Sequence, residues 1–416
     1  MSKDNLFASL RREINRLDEA GISKRRETVI DGFSRSTGLA PQAVIAGRKY
    51  QVFNSNDYLG LRFDPRMLVA EHRAAKKFGT GPGAVRFISG TLALHRELEH
   101  ALAVFHQRDD ALIFSSAFSA NLACLNCLAK GQSKDSLLSS QTLILSDEFN
   151  HRSIVDGIRI TNLPADNRLI FRHLDYTHLD EILKEYRDKY LRVIIVSDGV
   201  FSMLGEVADL AKMRKICDHH DSSFSEGILL YIDDAHGVGV LGQSGRGSEE
   251  HCQARADVLV GTLGKAFGCD GGYIVGSRLL IDYLRESAAT YIYSNCLSPG
   301  TAGAALAALT LVDSPEGQQL LSRLQANIIR FKELLAHSPI RFAADSLHAI
   351  QPLLMGDPAR AQAFKKALFE AGILVTNINY PVVPKGKDEI RVQLSAAHTP
   401  ADLDAFAAIA IKNFSP

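Results

Sequence analysis

The chain carries no surplus of either charge: 47 Lys and Arg stand against 47 Asp and Glu in 416 residues. That balance argues against a surface built to coat nucleic acid or to lie on an anionic membrane, both of which need a basic face. Cysteine is sparse too, with six residues, too few for a disulfide framework in a chain this long. Cys124 and Cys127 form a CxxC, but Cys217, Cys252, Cys269 and Cys296 supply no second pair at zinc spacing. No metal site is therefore expected, and the thiols read as structural. No apolar run reaches the roughly 18 residues that a membrane span needs. The N-terminal "MSKDNLFASLRREINRLDEAGI" sets Leu6, Leu10, Ile14 and Leu17 at helical spacing. Its acids Asp4, Glu13, Asp18 and Glu19 are foreign to a transit peptide, so it reads as an amphipathic helix packed on the body of the protein or on a partner subunit. A reduced, cytoplasmic setting is the expectation that follows.

What the chain does have is length and alternation. At 416 residues, 46% hydrophobic and 23% charged, it is globular in composition and too long for one average core. Between residues 80 and 280, short β-rich runs alternate with longer helical patterns: "ALIFS" from Ala111, "TLILS" from Thr142, "RLIFR" from Arg168, "RVIIVSD" from Arg192, "ILLYID" from Ile228, "DVLVGT" from Asp257 and "GYIVGS" from Gly272. Most are uninterrupted apolar runs, the mark of parallel strands buried on both faces. Thr301 to Val312 reads as a buried helix and Glu316 to Ala336 as a longer charged one. Beyond Pro339 the pattern becomes a small α+β unit: strands "IRFAA" and "AIQPLLMG", a helix from Arg360 to Ala371, then strands "GILVTNI" and "EIRVQLS". The expected division is 1–62, an N-terminal helix and extended segment; 63–300, a large ligand-binding α/β domain; and 301–416, a small α+β domain. "AKGQSKDSLLSSQT" and "HHDSSFSEG" read as surface loops or helix ends.

Chemistry gathers where strands end. "YIDDAHGVGVLG" closes a buried strand with two carboxylates and His236, at the sheet edge where α/β proteins bind ligands. A strand end capped by solvated aspartates and a metal site are the competing readings. Strand alternation points Asp233 and Asp234 to opposite faces, so only one can serve a ligand directly. In "VLVGTLGKAFGCDGGY" a strand runs through Thr262 to Lys265 among residues that let the backbone bend closely round a ligand. The spacing is not that of a nucleotide P-loop, and Ala266 stands where Ser or Thr would follow the lysine. Lys265 is either a solvated surface charge or a lysine of depressed pKa suited to Schiff-base chemistry. "IFSSAFSANLACL" passes from strand to helix and leaves the N–H groups of Ala117 and Phe118 free as a phosphate seat. "LSDEFNHRSIVDGIR" delivers His151 beyond another strand, and "VSDGVFSMLGEVADL" delivers Asp198 and Ser202 beyond the next.

These segments, with "NDYLG" at Asn56, "GTGPGAVRFISGT" at Gly79, "YSNCLSP" at Tyr293 and "VPKGKDEIRVQLSAAHT" at Val383, resemble the α-oxoamine synthase family of pyridoxal phosphate (PLP) enzymes over essentially the whole chain. Some motifs look like the glycine C-acetyltransferase (2-amino-3-ketobutyrate CoA ligase) branch and others like the 8-amino-7-oxononanoate synthase branch. The resemblance implies a PLP-dependent transferase fold of type I, a mostly parallel seven-stranded sheet in the large PLP-binding domain plus the smaller C-terminal domain. It implies that Lys265 holds PLP as a Schiff base and carries the Cα proton, that Asp233 pairs with the pyridinium nitrogen, that His236 hydrogen-bonds the ring hydroxyl and that His151 stacks on the ring. Ala117, Phe118 and Thr262 are implied to seat the phosphate, with Ser294 and Asn295 contributed by the second subunit of a homodimer with shared active sites. Ser202 is placed in the same shell, and Asn56 and Arg391 at the positions that grip the amino-acid carboxylate.

The implied reaction joins a small amino acid, glycine or alanine, to an acyl-CoA thioester, releasing CoA with or without CO2. Transamination on the same fold and a non-catalytic partner subunit are the rivals; "VRFISGT" and "RVQLSAAHT" speak against the first and Lys265 against the second. Leu204 departs from the family pattern, which places an acidic residue after "FSM".

Overall fold

A computed structural model describes residues 2–19, 23–25, 27–35, 40–380 and 382–414. Near the N-terminus, β1 (Gly32–Ser34), β2 (Gln42–Ile45) and β3 (Arg48–Val52) pair antiparallel. The two residues joining β2 to β3, Ala46 and Gly47, have φ of 48° and 77°, the left-handed pair that a tight hairpin requires.

The alternating middle of the chain forms β4 (Asp110–Phe114), β5 (Thr142–Asp147), β6 (Arg168–Phe171), β7 (Arg192–Asp198), β8 (Ile228–Asp233), β9 (Val258–Thr262) and β10 (Gly272–Gly276). They make one seven-stranded sheet in the order β4-β10-β9-β8-β7-β5-β6. Only β10 runs against the rest, pairing antiparallel with both β9 and β4. Every residue of β5 and of β7 is buried, as helices on both faces demand. One apolar core lies on one face, gathering Leu143, Ile195, Leu230 and Leu259, and a second on the other, with Ile144, Ile194, Tyr231 and Val260. The parallel strands β5, β7, β8 and β9 therefore present Asp147, Asp198, Asp233 and Thr262 at a common edge.

The smaller C-terminal domain follows the helices Pro299–Val312 and Pro315–Leu335. Its sheet joins β11 (Ile350–Leu354), β13 (Thr376–Ile378) and β14 (Glu389–Gln393) in the order β11-β14-β13, backed by the helix Pro358–Glu370, and the helix Pro400–Asn413 packs on that helix and on Pro315–Leu335. The expected single strand "GILVTNI" is divided: β12 (Ile373–Leu374) pairs in parallel with β3, and β13 pairs with β14. "IRFAA" is not a strand. It makes one bridge, Phe342 to Leu353, and Ala343 N–H donates to the carbonyl of Pro352. Pro352 has no N–H to return, so the ladder ends there.

The N-terminal helix, Ser2–Glu19, forms as its spacing predicts, but Leu6, Phe7, Leu10 and Ile14 are exposed, so its apolar stripe is not packed on the body of its own chain. All six cysteines are free thiols, with Cys124 and Cys127 fully buried in the helix Ala117–Lys130. Among the described residues no helix is long and apolar enough to cross a membrane.

Candidate active site

A cavity of about 210 Å³ opens at the carboxyl ends of β7, β8 and β9, lined by Ala117, Phe118, His151, Asp198, Asp233, His236, Thr262 and Lys265 among others. Lys265 enters on the turn after β9, closed by the N–H of Gly268 on the Lys265 carbonyl at 2.9 Å with Gly268 at φ 67°. Burial draws the lysine down to about 8, against the pull of Asp233. An amine in that range is available as a nucleophile near neutral pH.

Asp233 ends β8 with both oxygens occupied: Oδ2 accepts from Asn121 Nδ2 at 2.6 Å and Oδ1 from the N–H of Ala235 at 3.0 Å. Asn121 is itself fixed, donating to Ser153 Oγ at 2.8 Å and accepting from the Tyr231 hydroxyl at 2.7 Å. Asp234 takes the opposite side of the strand, as alternation requires, and accepts from the N–H of Ser248 at 2.7 Å. It lies so close to the backbone of its neighbours that a Cβ on Gly237 or on Gly247 would approach one of its oxygens to 2.0 Å. Burial pushes the Asp234 carboxyl up to about 8.

His151 follows β5 and caps the helix Arg152–Ile160, its Nδ1 2.7 Å from Ser153 Oγ and its N–H on Asp198 Oδ2 at 3.1 Å. Burial lowers its pKa, partly opposed by Asp233. The Phe118 ring stands edge-on to His151, centroids 6.4 Å apart. His236 is held from two sides: its Nδ1 lies 2.8 Å from the Tyr58 hydroxyl, and its carbonyl accepts from His348 Nε2 at 2.8 Å. Burial keeps His236 well below the usual histidine range.

The helix Ala117–Lys130 starts at the cavity, with Ser116 Oγ accepting from the N–H of Ser119 at 3.1 Å. It comes this close to β10 because position 272 is glycine; a Cβ there would meet the Ala117 nitrogen at 2.0 Å. Thr262 Oγ1 donates to the carbonyl of Gly271 at 2.8 Å, which braces the turn that carries Lys265.

The remaining expected residues divide. Asn56 does not line the cavity; it is linked to His236 through Tyr58, whose hydroxyl donates to its Oδ1 at 3.2 Å, and its Oδ1 also accepts from Gln393 Nε2. Arg391, on β14, leaves two buried guanidinium N–H positions, at Nε and Nη2, without a partner. Ser202 lies in an adjoining cavity rather than in this one. Ser294 and Asn295 are exposed and outside the cavity of their own chain.

Four groups that shape the site were not singled out for it in the sequence: Asn121, Ser153, Tyr58 and His348. Asn121 alone left a local signal, an amide in the otherwise small and apolar run "AFSANLACL" that is fully buried in the structure.

A lysine of lowered pKa, a carboxylate with a fixed orientation and a helix N-terminus around one cavity define a cofactor-dependent enzyme site of the PLP kind. The sequence profile described as aminotransferase class I and II matches residues 48–409, and the chain belongs to that family. Within it the relatives are α-oxoamine synthases. The chain is 37% identical over 399 residues to the 8-amino-7-oxononanoate synthase of Thermoanaerobacter pseudethanolicus, covering 95% of this chain and 94% of that one. It is 39% identical over 355 residues to the 2-amino-3-ketobutyrate coenzyme A ligase of Escherichia coli K12, covering 84% of each. A solved structure of serine palmitoyltransferase from S. paucimobilis with a bound PLP–myriocin aldimine superposes with a TM-score of 0.85 at 27% identity, covering 98% of this chain and 97% of that one. This chain is accordingly a PLP-dependent enzyme of the α-oxoamine synthase family.

The cavity fits that cofactor on its own terms. Lys265 offers an amine drawn down to about 8, and Asp233 offers an anion whose angle is set by Asn121 and Ala235. The first turn of the helix Ala117–Lys130 brings N–H groups to the same space, and Asp198 keeps one buried oxygen without a partner.

Proposed function

We infer that this enzyme condenses a small amino acid, glycine or alanine, with an acyl-CoA thioester, releasing CoA and either a 2-amino-3-oxo acid or, with loss of CO2, an α-amino ketone. The observation that carries the reading is the convergence of Lys265, Asp233 and His151 on one cavity, with Arg391, outside its lining, keeping N–H groups unsatisfied and near enough for its charge to act on Lys265 and His236. PLP, when bound, supplies an electron sink that allows the α-carbon of an amino acid to lose its proton. Lys265 would hold the cofactor covalently and take the proton from that carbon. Asp233 would pair with the pyridine nitrogen and keep it protonated, His236 would hydrogen-bond the ring hydroxyl, and His151 would lie against the ring. Ala117, Phe118 and Thr262 would bind the phosphate.

Arg391 is suited to the amino-acid carboxylate, since a guanidinium with free N–H groups gains most from a ligand that accepts two bonds in one plane. Asn56, whose Oδ1 already accepts from Gln393, would use its amide N–H2 on the same carboxylate. The exposure of Ser294 and Asn295 supports a homodimer in which each chain completes the phosphate site of the other, the large unit at 63–300 carrying the cofactor and 301–416 the smaller domain.

The test is CoA release by the PLP-loaded enzyme, crossing glycine and alanine with acyl-CoAs of increasing length. Release that depends on the amino acid is the expected result. An enzyme that exchanges amino groups with 2-oxo acids and frees no CoA from any pair would overturn the reading.

A further inference from the structure

Beside the cofactor cavity lies a second one of about 390 Å³, and the two are lined by consecutive residues of the same segments: Asn150 here and His151 there, Phe201 here and Val200 there. Its wall is mixed: Phe149, Met203, Leu204, Val382 and Val383 stand beside the polar Asn150 and Ser202, and the size is that of a pocket for a flexible organic group. The charged side chains of the lining are both carboxylates, Glu148 and Glu206.

The groups around them do not reverse that sign. His173 lies 2.8 Å from Asp147 Oδ1 and 3.0 Å from Glu206 Oε2, so one imidazole is set among Asp147, Glu206 and the neighbouring Glu148. Even as a cation it leaves that group net negative. Lys385 is exposed and sits over the Tyr380 ring at 5.3 Å, outside the lining.

From this arrangement we propose that the second cavity receives the acyl chain of the thioester and selects an uncharged aliphatic chain over one that ends in a carboxylate. The inference rests on the acyl-transfer reading above and names the substrate class within it. The aliphatic and aromatic part of the wall, Met203, Leu204 and Val383 with Phe149, gains from burying methylenes. A terminal carboxylate brought into it loses hydration, finds no cation in the lining and meets two like charges.

The experiment compares octanoyl-CoA with the eight-carbon CoA thioester bearing a terminal carboxylate. It uses the PLP-loaded enzyme, with CoA release as one readout and calorimetric binding of the two non-cleavable thioether analogues as the other. The expected result is at least a tenfold preference for octanoyl in both kcat/KM and affinity. Glu206→Gln and the exposed Glu148→Gln should narrow the preference, and Leu204→Arg should narrow it most, by admitting the carboxylate. Equal use of the two thioesters, preference for the carboxylated one, or turnover of acetyl-CoA alone would overturn the selectivity while leaving the acyl-transfer reading intact. No CoA release with any thioester would overturn both.

Discussion

Asp198 and Asp233 are register partners across β7 and β8, two carboxylates side by side at the carboxyl edge of a parallel sheet. Their surroundings separate them. Asp233 accepts a hydrogen bond on each oxygen, whereas Asp198 accepts one, from His151, and keeps Oδ1 buried and without a partner. Burial, with the adjacent Asp233, pushes the Asp198 carboxyl well above the usual range. Like charges this close cannot both be held cheaply in a site of low polarity, and burial with fewer hydrogen bonds favours the neutral form of Asp198.

Asp198→Asn should therefore be tolerated, since an amide reproduces the neutral acid and its oxygen still accepts from His151. Turnover is expected within about tenfold of wild type, a difference of about 1.4 kcal/mol. Asp233→Asn should lose at least 100-fold, about 3 kcal/mol, by removing the anion that the ring nitrogen requires. Steady-state CoA release by the two variants measures both; equal losses would contradict the division of roles.

His173 gives the fold a pH dependence of predictable sign. Burial works against its charge, but hydrogen bonds to Asp147 and Glu206 lift it to about 9, from 6.5 in the unfolded chain. A raised pKa contributes stability that is complete below the unfolded value and is lost as pH rises through the folded one. His173→Gln should accordingly lower Tm most near pH 6, by an amount corresponding to about 2 kcal/mol, and the gap should close by pH 10. Thermal melts of the two proteins across that range would contradict the account if the gap stayed constant.

Much of the fold could be read from the sequence because parallel strands buried on both faces have no alternative but continuous apolar runs. "RVIIVSD" and "ILLYID" match β7 and β8 residue for residue. Short strands were less legible: β12 is two residues long and takes its partner from β3, some 320 positions earlier, so its pairing is a property of the assembled fold. The site divides in the same way. Lys265, Asp233 and His151 stand at strand exits and announce themselves. Tyr58 and His348 reach His236 only through tertiary packing, from an N-terminal segment and from the loop before β11. Nothing in the local sequence of either pairs it with a histidine so far away in the chain.

Shared sites have a direct genetic test. Mixing Lys265→Ala protein with a Ser294→Ala, Asn295→Ala double variant should restore activity, because a hybrid dimer rebuilds one site with Lys265 from one chain and intact Ser294 and Asn295 from the other. Complete recombination would yield up to about a quarter of wild-type turnover, since half the dimers are hybrid and each has one whole site. If subunits exchange and the double variant alone is impaired, a mixture no more active than its parts would show that each chain completes its own site.

The most direct measurement is reduction of the PLP-loaded enzyme with borohydride, followed by peptide mapping. The account predicts one pyridoxyl group per chain, on Lys265, and none in Lys265→Ala. A group fixed on another lysine, or no fixed group in protein that holds PLP, would contradict it.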